Sequence, residues 1–182
     1  YLHESSVRTH GNLKTSNCLV DSRWVVKITD FGLTTFRSHG LTNNSVDYNT
    51  LSQQESVALL YRSPEVLRIS HAQVQEGTQK GDVYSFAIIL YEVHSRQWAW
   101  GGAGLTAHET LSKVMSTAAP PTNYRPGMGG MEGCLDCVRT VLKECWAEIP
   151  EERPEFRAVR TRLRPMRKGL KANIFDNMLA LM

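Results

Sequence analysis

The stretch HGNLKTSN at residues 10–17 is followed thirteen residues later by Asp30-Phe31-Gly32, and the interpretation of the whole chain depends on this arrangement. Between these two motifs, CLV at 18–20 and WVVKI at 24–28 are rich in apolar and β-branched residues. Asp21-Ser22 separates the two runs and is typical of a turn. The sequence therefore predicts two short strands joined by a tight turn.

The rest of the chain is predicted to be mainly helical. Residues 37–56 are polar and rich in Ser, Thr and Asn, which indicates a long exposed loop. Pro64 is predicted to begin a short helix. Asp82 is predicted to cap a long helix that is apolar nearly all round and therefore central and buried. Helical spacing of apolar residues predicts three more helices, at 107–115, 134–146 and 155–163.

Composition excludes several classes of protein. The chain has 182 residues, a net charge of +3, 41% hydrophobic residues and 21% charged residues, which is ordinary for a globular domain and argues against disorder. This length allows one domain, or one domain with a short appendage. The four cysteines are too few for a disulfide scaffold. The longest apolar run, residues 86–91, is far shorter than the roughly 20 residues of a bilayer span.

Three further motifs follow the first two in order: SPE at 63–65, GDVYSF at 81–86 and CWAEIPEERP at 145–154. Each motif alone carries little information. Together, the five motifs resemble the C-terminal lobe of a protein kinase. The resemblance implies a mainly α fold, in which a helical lobe carries a short β-hairpin.

The resemblance also implies how the chain is divided. We expect the kinase-like C-terminal lobe at residues 1–168 and the start of a linker or dimerisation helix at 169–182. No glycine-rich loop, strand lysine or partner glutamate precedes His10, so we expect the kinase N-terminal lobe to be absent. The sequence also does not begin with Met, and we expect it to be a piece of a longer protein.

The kinase resemblance implies a nucleotide half-site. Asp30 matches the aspartate that binds Mg²⁺ bridging the nucleotide phosphates, and Asn17 matches the amide that holds a second Mg²⁺. Lys14 is a further candidate for contact with a phosphate oxygen. Gly32 permits a backbone turn after Asp30 that a Cβ atom would hinder. We expect ATP and Mg²⁺ to bind only when the second lobe completes the site, and no cofactor to be tightly bound to this chain alone.

Four other matched residues have structural roles in that family. Glu65 and Arg153 match a buried ion pair that ties the activation segment to the late helices. Asp82 matches a carboxylate that accepts hydrogen bonds from the catalytic-loop backbone. His10 is expected to be a packed core histidine, because its usual base partner is missing. These roles support the fold and do not bear on activity.

Two positions depart from the kinase pattern. The catalytic base of kinases is an aspartate two residues after the loop histidine, and Asn12 occupies that position here. An amide cannot accept a proton at neutral pH, so general-base help worth roughly 10²–10⁴ in rate is lost. Gly11 replaces an arginine that in many kinases pairs with a phosphorylated activation loop. We therefore expect no catalytic residue for phosphoryl transfer.

A narrower resemblance is carried by HGNLKTSNCLVDSRWVVKITDFGL at 10–33, GTQKGDVYSFAIILYEV at 77–93 and PPTNYRP at 120–126. These stretches look like the kinase-homology (pseudokinase) domain of receptor guanylate cyclases. That family binds an extracellular ligand, crosses the membrane once and makes cyclic GMP in a C-terminal cyclase domain. The resemblance implies a regulatory lobe on the cytoplasmic side of such a receptor in the cell membrane, with ATP as a candidate modulator.

The same resemblance implies the partners of the chain. They are the missing N-terminal lobe, the cyclase domain and a second copy of the parent in a homodimer. The charge outside residues 157–171 is near neutral, so composition does not predict binding to nucleic acid. We also expect no membrane span within these residues.

Several alternatives stay open. The chain could be the catalytic lobe of an active, tyrosine-type kinase, because phosphoryl transfer relies mostly on positioning and Mg²⁺. It could also be an interaction scaffold that no longer binds nucleotide. Cys134, Cys137 and Cys145 suggest a zinc site, but they lie on or beside one predicted apolar helix stripe, which favours buried apolar roles. The basic run at 157–171 is either a solvated face or a surface for anionic lipid or an acidic partner.

Overall fold

A computed structural model describes residues 1–32, 51–68, 77–116 and 124–166. Within these ranges lie two strands and six α-helices. The strands are β1 (Cys18–Val20) and β2 (Val26–Ile28). The helices are α1 (Gln53–Leu59), α2 (Pro64–Arg68), α3 (Gln79–Ser95), α4 (Ala107–Met115), α5 (Asp136–Cys145) and α6 (Phe156–Arg162). The predicted helical lobe with a short β-hairpin is therefore confirmed, whereas the boundary expected at 168 and the helix expected at 169–182 lie outside the described residues.

β1 and β2 form an antiparallel hairpin in which Cys18 lies opposite Ile28. Asp21 closes the turn, because its carboxylate oxygen Oδ1 accepts a hydrogen bond of 3.0 Å from the backbone N–H of Val25. Trp24 has a φ angle of 61°, in the left-handed region, and so cannot continue an extended strand. The strand predicted at 24–28 therefore starts two residues too early.

α3 is the central helix of the lobe, as the sequence predicts. Its residues Tyr84 and Ile88 are 0% exposed, and the helix packs against α5. The buried cluster extends from α3 to α2, α4, α5 and α6. Val93, which shares the predicted apolar spacing, is 65% exposed, so the apolar surface is not fully covered in the last turn of α3.

The start of α3 differs from the prediction. The helix begins at Gln79, and the Thr78 hydroxyl accepts a hydrogen bond of 2.9 Å from the backbone N–H of Gly81. Thr78 is therefore the N-cap, and the prediction that Asp82 caps this helix is wrong. Asp82 lies in the first turn, where its carboxylate binds a distant backbone segment instead.

α1 begins inside the stretch predicted to be a loop. Ser52 and Glu55 form a capping box at its start, in which each side chain accepts a hydrogen bond from the other residue's backbone N–H. The loop prediction is therefore wrong for residues 53–56, while residues 37–50 lie outside the described part of the chain. α4 begins and ends where the sequence predicts, and α6 lies within the predicted 155–163.

α5 is shorter than the helix predicted at 134–146. Leu135 is its N-cap, so Cys134 lies just before the helix, with its Sγ 3.9 Å from Nδ1 of His94. Cys145 is fully buried and Cys137 is half-buried, consistent with the apolar roles that the sequence favours. Across the four described ranges, no three His, Cys, Asp or Glu side chains are grouped so that they could hold a metal ion. No helix in those ranges is both long and apolar enough to cross a bilayer.

Candidate functional site

The HGN segment at residues 10–12 is held in place by the Asp82 carboxylate. Its Oδ2 accepts a hydrogen bond of 2.7 Å from the backbone N–H of His10, and its Oδ1 accepts one of 2.9 Å from that of Gly11. Asp82 is only 3% exposed, so its charge is stabilised mainly by these donors. The ring of His3 adds a third contact, because its Nε2 lies 2.9 Å from Asp82 Oδ2. A carboxylate is an acceptor, so this ring nitrogen carries the proton.

Gly11 lies against the backbone of Gly77, just before α3. A Cβ atom built on Gly77 would lie 2.3 Å from the Cα atom of Gly11, which is far inside van der Waals contact. Gly11 itself has a φ angle of 72°, a conformation that costs glycine little. The absence of a Cβ atom at Gly77 therefore lets its backbone approach that of Gly11 closely.

Asn12 and Asn17 are joined by a hydrogen bond within the loop. The side-chain Nδ2 of Asn17 donates to the backbone carbonyl of Asn12 at 2.8 Å, and Asn17 is 5% exposed. The Asn12 backbone N–H faces Nδ1 of His10 at 3.3 Å. Because Asn17 uses its nitrogen to hold the loop, its side-chain oxygen remains available as an acceptor or metal ligand. His10 is 2% exposed, which fits the packed histidine that the sequence predicts.

Asp30 follows the hairpin at an exposed position with a φ angle of 61°. A non-glycine residue in this region carries backbone strain of the kind that concentrates at ligand sites. Gly32 has a φ angle of 71°, and a Cβ atom there would meet only Val7, at 3.5 Å. Glycine is therefore favoured at 32 by its conformation rather than by lack of space. Phe31 between them packs edge-on against the ring of His10, with centroids 6.3 Å apart.

Lys14 lies in the same loop, in extended backbone, and is half-buried. Its carbonyl accepts a hydrogen bond of 3.0 Å from the backbone N–H of Asn17. No ion pair joins its ammonium group to another residue in the described part of the chain. The loop thus carries a cation without an ion pair partner in the described ranges, three residues before Asn17.

The predicted pair between Glu65 and Arg153 is present and bidentate. Arg153 Nη1 donates to Glu65 Oε1 at 2.7 Å, and Nη2 donates to Oε2 at 2.8 Å. The other three N–H groups of the guanidinium donate to the carbonyls of Ala147, Lys80 and Glu148. Burial alone would raise the pKa of the Glu65 carboxyl, but the hydrogen bonds and charge of Arg153 outweigh it and lower that pKa.

A second ion pair centre, which the sequence did not predict, fastens the other end of α2. Glu148 accepts from Nη1 of Arg68 at 2.5 Å and from Nη2 of Arg125 at 2.7 Å. Burial opposes ionisation of Glu148, yet the two arginines hold its pKa below the usual value. The ring of Tyr84 lies 5.2 Å from the guanidinium carbon of Arg125 and 5.3 Å from that of Arg153. This buried ring therefore connects the two ion pair centres.

The end of the loop is also tied to the C-terminal half of α3. Tyr61 Oη donates to Glu92 Oε2 at 2.7 Å and lies 2.8 Å from Oγ1 of Thr15. Burial raises the pKa of the Tyr61 hydroxyl well above its usual range, so it remains a hydrogen-bond donor at neutral pH. The loop is thus anchored at residues 10–11 and again at residue 15.

Sequence reasoning missed His3, Gly77 and Glu148. His3 and Gly77 each act at a distance of more than 65 residues from their partners, Asp82 and Gly11. Glu148 had one sequence signal, since it lies inside the CWAEIPEERP motif, five residues before Arg153.

The sequence matches the family model described as protein tyrosine and serine/threonine kinase over residues 1–163. The chain belongs to the protein kinase family. The kinase-like fold that the five motifs predict is therefore confirmed.

Relatives of this kinase-like chain point to receptor guanylate cyclases. It is 43% identical over 183 residues to the Resact receptor of Arbacia punctulata. This match includes 100% of the chain and 18% of that receptor. It is 41% identical over 186 residues to a receptor-type guanylate cyclase of Drosophila melanogaster, a match that includes 100% of the chain and 12% of that cyclase. It is 36% identical over 184 residues to human (Homo sapiens) retinal guanylyl cyclase 2, a match that includes 100% of the chain and 15% of that cyclase. The resemblance to receptor guanylate cyclases is confirmed, and the kinase-like chain spans less than a fifth of each of these relatives.

Proposed function

We propose that the chain is a regulatory pseudokinase lobe of a receptor guanylate cyclase, relaying receptor activation to cyclic GMP synthesis in the parent's cyclase domain. The observation that carries the proposal is Asn12. The loop around it retains the supports from Asp82 and Asn17, yet the side chain at the position of the base cannot accept a proton. A loop kept in shape without its base suits a conformational role.

Nucleotide binding in the intact parent is the second part of the proposal. Mg²⁺ prefers oxygen ligands and usually takes one or two from protein and the rest from phosphates and water. The exposed Asp30 carboxylate and the free side-chain oxygen of Asn17 fit that preference, and the Lys14 ammonium suits a phosphate oxygen. When bound, Mg²⁺ neutralises phosphate charge. The chain's own residues would orient the nucleotide and hold the loop.

The hairpin supports a partner lobe above this half-site. Seven apolar residues in and around it are exposed by 39–87%: Leu19, Val20, Trp24, Val25, Val26, Ile28 and Phe31. Such a concentration of exposed apolar side chains is typical of an interaction surface. We assign it to the N-terminal lobe of the parent, so that nucleotide is enclosed between the lobes. In this proposal, the chain lies on the cytoplasmic side of a single-pass receptor that acts as a homodimer.

The test uses the full-length parent receptor with substitutions at the positions of this chain. Asp30→Ala is expected to abolish any effect of ATP on cyclic GMP synthesis, while Asp136→Ala, at an exposed aspartate on α5, leaves that effect unchanged. Neither the unmodified receptor nor Asp136→Ala is expected to transfer phosphate to a peptide. Sustained phosphotransfer that Asp30→Ala abolishes would instead show an active kinase.

A thermal shift measurement on the same receptor distinguishes the nucleotide-free scaffold. Mg-ATP at 100 times its Kd should stabilise the kinase-like domain by about 2.7 kcal/mol. The Asp30→Ala receptor should show little of this shift. If millimolar Mg-ATP produces no shift in the unmodified receptor, the scaffold function replaces the nucleotide-modulated one.

A further inference from the structure

One side of α6 and of the helical turn after it carries three arginines, Arg157, Arg160 and Arg164, which we call the arginine stripe. Their spacing of three and four residues places them within about 60° of one another around the helix axis. All three are exposed. We propose that the arginine stripe binds the phosphate groups of an anionic phospholipid surface.

The charges of the stripe are not used within the lobe. None of the three arginines forms an ion pair with any residue of the described ranges. Arg162, on a different side of the same helix, does pair, with its Nη1 2.6 Å from Oε2 of Glu144. Residues 157–164 therefore use one arginine for internal contact and present three to solvent.

Phosphate oxygens fit the geometry of these side chains. The planar guanidinium offers paired N–H donors that match two oxygens of a phosphate, and it is weakly hydrated, so it gives up water readily. Three such groups along about 10 Å of helix can each meet a separate headgroup. A bilayer with anionic lipids offers phosphates at that density over a flat area.

The apolar residues of α6 argue against a protein partner here. Phe156 and Val159 on α6, with Leu163 and Met166 just after it, pack into the lobe, and residues 156–166 contribute none of the large exposed apolar residues of the described ranges. Protein interfaces usually have an apolar or aromatic centre, which this surface lacks. A purely charged surface suits headgroups instead.

Acidic neighbours predict a gradient along the stripe. Glu151, Glu152 and Glu155 are exposed and precede α6, so they weaken the positive potential most at Arg157. Screening limits such effects to about 10 Å at 0.1 M salt. Arg160 and Arg164, further along the helix, are therefore expected to contribute more than Arg157.

The test measures co-sedimentation of the full 182-residue chain with vesicles of phosphatidylcholine alone or with added phosphatidylserine. The chain should bind only the anionic vesicles. The triple change Arg157→Gln, Arg160→Gln and Arg164→Gln should weaken binding about 10²-fold, since each arginine near an anionic surface contributes about fivefold. A matched control changes three exposed cations elsewhere that form no ion pair in the described ranges, Arg8→Gln, Arg96→Gln and Lys143→Gln, and should change binding much less.

Four results would overturn the proposal. The unmodified chain could fail to bind phosphatidylserine vesicles, or the control triple could lose as much binding as the stripe triple. Displacement of the chain from vesicles by polyglutamate at equal charge would indicate an acidic protein partner. Equally strong, stripe-dependent binding to duplex DNA would indicate a general polyanion surface.

Circular dichroism of the two triple variants shows whether each remains folded. Since all six substituted side chains are exposed, we expect unchanged spectra.

Discussion

Removal of the Arg153 guanidinium should strongly destabilise the lobe. All five of its N–H groups donate hydrogen bonds, two of them to the Glu65 carboxylate, and its side chain is 0% exposed. Arg153→Met keeps much of the side-chain volume but removes every donor. The carboxylate of Glu65, whose side chain is 25% exposed, and three backbone carbonyls then lose a partner that is itself fully buried.

The size of the effect follows from this geometry. Removing one partner of a buried ion pair costs about 3–5 kcal/mol, because the other charge is left uncompensated. Glu65→Gln is milder, because an amide oxygen still accepts one bond; the loss of a hydrogen bond to a charged group costs about 1.5–3 kcal/mol. Arg162→Met is the matched control, since its pair with Glu144 has side chains 42% and 35% exposed. Exposed pairs contribute about 0–1 kcal/mol.

Urea unfolding of the full chain, followed by tryptophan fluorescence, measures these differences as changes in the free energy of unfolding. The expected order of destabilisation is Arg153→Met, then Glu65→Gln, then Arg162→Met. If Arg153→Met gives no cooperative transition, Glu65→Gln still reports on the pair. A loss for Arg153→Met no greater than that for Arg162→Met would refute the reasoning that this buried pair stabilises the lobe.

Two further predictions concern the same supports. Gly77→Ala should lower the urea midpoint markedly, because the new Cβ atom would lie 2.3 Å from the Gly11 Cα atom. Gly102→Ala is the control and should lower the midpoint far less, because a Cβ atom there has no neighbour within 4 Å. Equal effects of the two substitutions would contradict the close contact. Glu65 and Glu148 both have pKa values below the usual 4.5 in the folded lobe, because their arginine contacts outweigh burial. Their contribution to the free energy of unfolding is therefore present above about pH 4.5 and is lost as pH falls through the lowered pKa values. Acid should lower the urea midpoint, and the midpoint of Glu65→Gln should fall less steeply with pH.

The elements and contacts that could be predicted from sequence are those with a local pattern or a family motif. α4 begins and ends where helical spacing places it, and β1 where its apolar run lies. The Glu65–Arg153 pair and the hydrogen bonds from the backbone of residues 10 and 11 to the Asp82 carboxylate match what the kinase motifs imply. Among the candidate site residues, Asn17 donates a hydrogen bond to the loop backbone and Asp30 is exposed with a positive φ angle. Their binding of nucleotide stays a prediction.

The features that were not predicted depend on tertiary placement or on backbone conformation. Glu144, Glu148, Glu151 and Glu152 lie within nine residues of one another, and only the fold selects Glu148 to join Arg68 and Arg125. An aromatic residue such as Trp24 normally favours a strand, yet its φ of 61° ends the turn instead. The prediction that Asp82 caps α3 is wrong because Thr78 caps the helix instead. The Asp82 carboxylate accepts hydrogen bonds from backbone N–H groups of a distant loop.

The two-stranded hairpin has a consequence for the chain in isolation. Each strand has only one paired neighbour in the described ranges, so each leaves a row of backbone N–H and C=O groups open at its outer edge. Edges of this kind, when flanked by exposed apolar side chains, are templates for strand addition and aggregation. Leu19 and Val26, both more than half exposed, lie on these strands. A lysine at position 19 or 26 is expected to keep the purified chain monomeric at concentrations where the unmodified chain self-associates.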